Sequence, residues 1–226
     1  MSSPRVRRPY DNTKRQQAAE ERQQRILDVA TRRFVELGWT RATIADIAAG
    51  AEVSEELVLK RFGSKVRLLL TAFRRAGFGP APDLDAAVAT LGLEDLGSVE
   101  ERIEALTAFG TAALAGLAPL VPALKHAADA DQEAAEVMRG LQQGRLATSR
   151  RMAGLLLGVD EETVDTHEGL AETIYALTTG ECYLAFTVEL GRPPSAYSVW
   201  LRNGLQDLVR RYGVDGSLEE GSAGPL

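Results

Sequence analysis

His126, His167 and Cys182 are the only imidazoles and the only thiol in 226 residues, and their spacing limits what chemistry the chain can do. The two histidines lie far apart, with no carboxylate at metal-ligand spacing, so they form no recognisable metal site. One cysteine excludes an internal disulfide and a cysteine-rich zinc site. Nothing near Cys182 in the sequence would activate its thiolate, so it reads as a buried structural residue. Beyond Pro82 there is no glycine-rich phosphate loop, no paired-histidine motif and no nucleophile elbow. No catalytic residue, metal or cofactor is assigned, and the expectation is a protein that is not an enzyme.

Charge is the chemistry that remains. The net charge of −6 conceals an asymmetry: residues 1–78 hold sixteen Lys and Arg against nine Asp and Glu, and residues 79–226 hold ten against twenty-three. A basic first third of net +7 suits a polyanionic partner, and an acidic remainder of net −13 does not. Within the basic part, Arg41, Lys60, Arg61 and Lys65 flank one stretch, TIADIAAGAEVSEELVLKRFGSK, and could seek phosphates there. Glu55 and Glu56 in the same stretch have two readings. They complement a helix dipole, worth about 0.3 to 1 kcal/mol each, or one accepts a hydrogen bond from a cytosine amino group. Ahead of them, RVRRPYDNTKR reads as part of a basic arm over residues 1–19, able to reach a minor groove or the backbone, though a solubilising tail would look the same.

The elements that would position these charges are helices. Over residues 20–37, Ile26, Val29, Ala30, Phe34 and Leu37 recur at helical spacing, with Gly38 at a C-cap position. Thr43 and Asp46 form a capping-box pattern, and Ser54 is a good N-cap for the next helix, which Gly63 ends. Ser64 restarts a helix that runs to a break at residues 77–82, the expected boundary between a domain over residues 20–78 and one over residues 79–213. The second and third helices are short and joined by a tight turn, which makes a helix-turn-helix whose last helix could enter a major groove.

Residues 31–69, TRRFVELGWTRATIADIAAGAEVSEELVLKRFGSKVRLL, resemble the N-terminal DNA-binding region of TetR-family transcriptional regulators. The likeness runs without a gap through Phe34, Gly38, Thr43, Ile47, Ala48, Val53, Ser54, Phe62, Ser64, Lys65 and Leu68. It implies DNA contacts from Arg41, Thr43, Ser54, Glu55, Glu56, Leu57, Leu59, Lys60, Arg61, Ser64 and Lys65. Two positions depart from the family. Glu52 stands where the family's turn usually has glycine, and a non-glycine residue at positive φ costs about 1 to 2 kcal/mol; Gly50 is expected to relieve this by shifting the turn. Leu59 replaces the usual phosphate-contacting tyrosine.

The remainder also reads as helical. Residues 105–124 carry no charge over about the span of a membrane helix, but Gly110, Gly116, Pro119 and Pro122 mark a buried helix broken near Pro119, so no membrane partner is expected. A helix over residues 132–157 has an apolar face interrupted by Arg145, which must snorkel, pair with an acid such as Glu172 or Glu181, or meet an acidic ligand. Phe109, Met138, Leu141, Arg145, Met152 and Tyr175 are the candidate ligand-binding residues. Residues 163–190 and 197–212 read as two long helices, the second with Tyr197, Trp200, Leu201, Leu205, Leu208, Val209 and Tyr212 on one stripe. A monomer core would explain the stripe. The resemblance instead implies a four-helix bundle made by two copies, with Gly180, Trp200, Leu201, Leu205 and Leu208 at the dimer interface. The tail over residues 214–226 reads as disordered.

The expectation is an all-α, cytoplasmic, homodimeric repressor that a small-molecule effector releases from a palindromic double-stranded DNA operator. The cytoplasm is inferred from the single cysteine and from the polar residues 1–17, which hold no signal core. The alternative is a helical ligand-binding or interaction protein that has lost specific DNA binding.

Overall fold

The computed structural model describes residues 12–213, and every regular element among them is helical. The C-terminal tail and residues 1–11 of the expected basic arm lie outside the described residues. The rest of that arm is a correction, because helix α1 spans Asn12–Arg41. Residues 14–25, KRQQAAEERQQR, are all good helix formers with no glycine or proline to stop them. Gly38 breaks α1 internally at φ 70, ψ −177, where the sequence places a C-cap.

The chain divides into two compact units between Ala72 and Phe73. The first holds α1, α2 (Ile44–Gly50), α3 (Glu55–Phe62) and the start of α4 (Lys65–Phe78). Its core includes Ile26, Val29, Phe34, Ile47, Val58, Phe62, Leu68 and Leu69, all buried, and Trp39 stacks on Phe34 with ring centroids 6.2 Å apart. Gly50 lets α2 close on α1, since a Cβ there would lie 2.8 Å from Val29 Cγ1. Gly50 stays the last residue of α2, so it does not shift the turn as expected. Glu52 adopts positive φ, 57°, and is the only described non-glycine residue to do so.

The boundary expected after residue 78 falls earlier because Phe73 and Phe78 pack against the second unit's core. That unit contains α5 (Leu84–Ala89), α6 (Val99–Leu117), α7 (Val121–Ala130), α8 (Gln132–Leu157), α9 (Glu161–Asp165), α10 (Leu170–Leu177), α11 (Gly180–Leu184) and α12 (Pro194–Tyr212). Helix α8 packs on α7 and α10, and α12 packs on α6. Helix α6 carries a true capping box, Ser98 with Glu101, and gives way near Pro119 to a short 3-10 turn, Ala118–Leu120. The stretch Val99–Ala130 is long and apolar enough to cross a membrane, yet Leu106, Leu114, Leu117, Ala118 and Leu120 lie buried within the unit.

Helix α8 matches its expected span residue for residue: Asp131 caps Ala134 N–H at 3.1 Å, and Gly158 ends it at φ 72. The single helix expected over residues 163–190 is corrected to α9, α10, α11 and a π-helical segment, Ala185–Glu189. Gly169 at φ 78 starts α10 afresh, and Thr179 caps α11 by accepting a bond from Cys182 N–H. A side-chain acceptor of this kind competes with the helical ladder and restarts it.

Candidate nucleic-acid interface and effector site

The turn between α2 and α3 is built from caps at both ends. Thr43 Oγ1 accepts from Asp46 N–H at 3.0 Å, and Ser54 Oγ accepts from Leu57 N–H at 3.2 Å. The reciprocal half of the expected Thr43 capping box is different. Asp46 does not reach back to the backbone; its Oδ2 takes the Thr43 hydroxyl at 2.6 Å, as a side chain one methylene shorter than Glu would. Ser64 caps α4 in the same way as Ser54 caps α3, accepting from Arg67 N–H at 3.1 Å.

These caps fix the rotation of α3. Val58 and Phe62 point into the core, Leu57 is half-buried, and Glu55, Glu56, Leu59, Lys60 and Arg61 are exposed. The outward face of the candidate recognition helix therefore offers two carboxylates, one ammonium, one guanidinium and a bare aliphatic side chain, Leu59, at 44% exposure. Arg41 and Thr43 are also exposed, Arg41 with its Nε donating to Leu37 O at 3.3 Å. Arg61 is braced: its Nε donates to Gln23 Oε1 at 2.8 Å and its Nη2 to the same oxygen, which ties α3 to α1.

Lys65 departs from the expectation of a cation free for phosphate. Its Nζ donates to Trp39 O at 2.5 Å and sits 4.2 Å from the centroid of the Trp39 ring. The carbonyls at the end of α1 have no further helical donors, and the ammonium fills that need. Burial pushes the Lys65 ammonium below the ordinary lysine value. Trp39 and Gln23 were not singled out in the sequence, because each lies a helix away from the charge it holds.

In the second unit, Arg145 and Tyr175 come together: the guanidinium carbon lies 3.6 Å from the centroid of the Tyr175 ring. The internal ion pair weighed for Arg145 does not form with Glu172 or Glu181. Glu181 is held by Lys125 Nζ at 2.5 Å. Burial pushes the Glu181 carboxyl up, but the hydrogen bond and charge of Lys125, a backbone hydrogen bond and the charge of Arg145 outweigh it and hold the group below the usual carboxylate range. Met152 is buried and Met138 and Leu141 are half-buried on α8, while half-buried Phe109 packs on the unit's core from α6. Ser149, missed in the sequence, is fully buried with no partner for its hydroxyl among the described residues. Its spacing of four from Arg145 was the signal that could have found it.

The expected dimer residues are corrected. Leu201, Leu205 and Leu208 are buried in the chain's own core, where Gly110 lets Leu201 approach α6. Gly180 is buried too, and a Cβ there would meet Val121 Cγ2 at 2.7 Å. The apolar stripe of α12 is thus a monomer core stripe. Trp200 is half-buried, with its ring 5.3 Å from Phe186 and 5.8 Å from Tyr197. Burial raises the Tyr197 hydroxyl well above its ordinary value, and that hydroxyl donates to Leu177 O at 2.7 Å. The apolar surface left exposed beside this cluster is Val188, Leu190 and Val199, at 70%, 65% and 54%.

A capped helix-turn-helix, with only helices among the described residues, is the arrangement that DNA-binding transcription regulators use. Residues 26–72 match the family described as bacterial regulatory proteins, tetR family. A TetR-like transcriptional regulator from Rhodococcus sp. RHA1 shares the fold with a TM-score of 0.53 at 18% identity, over 84% of this chain and 96% of that one. No curated protein matches the chain.

Proposed function

We propose that this regulator is a cytoplasmic homodimeric repressor, bound to a palindromic operator through α3 and released by a small-molecule effector that binds in the second unit. The observation that carries the DNA half is the outward face of α3. Its fold-stabilising residues, Val58 and Phe62, are turned away, and five side chains are left to meet a groove. Lys60 and Arg41 suit phosphates, and Leu59 suits a thymine methyl group, the apolar feature of the major groove. Glu55 and Glu56 are the donor-seeking groups and suit a cytosine amino hydrogen.

Two copies are needed because one eight-residue helix reads only a few base pairs. Exposed Val188, Leu190 and Val199 supply the apolar surface for pairing. Recognition helices matched to successive major grooves sit about 34 to 36 Å apart, so a small change in that spacing weakens binding. Repression, rather than activation, follows the family's habit.

Selection of bound duplexes from a random pool tests the reading. A palindromic consensus is expected, with its half-sites about one helical turn apart. Recovery of no enriched sequence would favour the alternative, a helical ligand-binding protein whose head no longer reads DNA.

A further inference from the structure

We infer that Arg145 and Ser149 of α8, with Tyr175 of α10, form a subsite for the carboxylate of a small organic acid with an apolar body. The inference rests on the reading of the second unit as effector-responsive and names the chemical class of the effector. Arg145 makes no ion pair among the described residues, and its one close partner is an aromatic face. Nearby arginines differ: Arg150 pairs with Asp165 and Glu161, Arg151 with Asp85, and Arg202 with Glu104. The acid whose charge reaches Arg145, Glu181, is already committed to Lys125.

Stacking at 3.6 Å occupies one face of the guanidinium and leaves its edge, where the paired N–H donors lie, free to take a planar carboxylate. One turn along the same helix face, the Ser149 hydroxyl is fully buried without a partner among the described residues. A buried polar group in that state is costly unless something completes it. A ligand oxygen shared between the guanidinium and the hydroxyl satisfies both. Leu141 and buried Met152 lie on the same helix and suit an apolar remainder. One guanidinium at the subsite, within a stretch of net −13, suits a monoanion; a phosphate dianion would need more positive charge.

The test is calorimetric titration of the full chain with matched pairs: straight-chain acids from butyrate to hexadecanoate, benzoate and phenylacetate, each against its primary amide. The acids are expected to bind roughly 10-fold or more tightly than their amides. Arg145→Met should erase that preference and leave amide binding unchanged. Ser149→Ala should weaken the acids roughly 2- to 10-fold, while the thermal midpoint of the ligand-free protein stays level or rises. A purely structural serine would not give that split. Should Arg145→Met not fold, Arg145→Lys, which keeps the charge but loses the fork, must narrow the preference. Equal binding of acids and amides, an acid preference that survives these arginine variants, or no binding of any acid overturns the subsite. Amides that bind as tightly as their acids and release DNA would overturn it while leaving effector control intact. If no compound binds or releases DNA, both readings fail.

Discussion

Glu52 sits at φ 57 in the short turn between the end of α2 at Gly50 and the Ser54 cap of α3. A side chain at that φ costs about 1 to 2 kcal/mol, and glycine removes the strain at the expense of about 0.5 to 1 kcal/mol of chain entropy. Glu52→Gly should therefore raise stability by roughly 0.5 to 1 kcal/mol, read as a higher urea midpoint at unchanged slope; a lower midpoint would mean that Glu52 makes an interaction the strain serves. Lys65 carries a prediction of the opposite sign. With its ammonium on the Trp39 carbonyl and ring, Lys65→Met should lower stability by about 1 to 2 kcal/mol. The salt dependence of DNA binding should stay as in the parent. The positive φ at Glu52 was legible only through the resemblance, which implies glycine at that turn position. The Lys65 contact was not legible, because Trp39 lies twenty-six residues away and only the folding of α1 against α4 brings it near.

Among the elements, α6 meets α4 at a distance that only glycine allows. A Cβ on Gly116 would stand 1.9 Å from the backbone oxygen of Ala76, and a backbone atom cannot rotate away as a side chain can. Gly116→Ala should cost about 3 kcal/mol or more, seen as loss of cooperative unfolding or a fall in Tm of many degrees. Gly140→Ala, with nothing near its Cβ, should be neutral or slightly stabilising. Equal effects at the two glycines would show that α6 and α4 are not in close contact. Helix α8 was legible to the residue because a cap, a periodic face and a terminal glycine agree. The segment over residues 163–190 was not, because its apolar periodicity runs on through Gly169 and Thr178–Thr179. The breaks come from an αL glycine and a threonine cap that periodicity does not register. The α12 stripe was visible, but its destination was not, since an inward face and an interface share one pattern.

For the whole molecule, burial separates two kinds of apolar substitution. Leu205 at 2% exposure belongs to the core, so Leu205→Glu should unfold the second unit. Val188 at 70% exposure does not, so Val188→Glu should leave the fold intact and shift sedimentation from dimer to monomer. A Val188→Glu protein that still sediments as a dimer would place the interface on another face. Such a monomer should also bind DNA poorly, because half of the contacts to a two-fold site are lost.

The central claim is that the outward face of α3 meets DNA, and the salt dependence of duplex affinity tests it most directly. The logarithm of affinity should fall linearly with the logarithm of salt concentration, and Lys60→Ala, which removes an exposed cation with no ion pair among the described residues, should reduce that slope by about one. Glu56→Gln should leave the slope unchanged or steepen it. Duplex affinity insensitive to salt, or a slope that Lys60→Ala leaves untouched, would contradict the account.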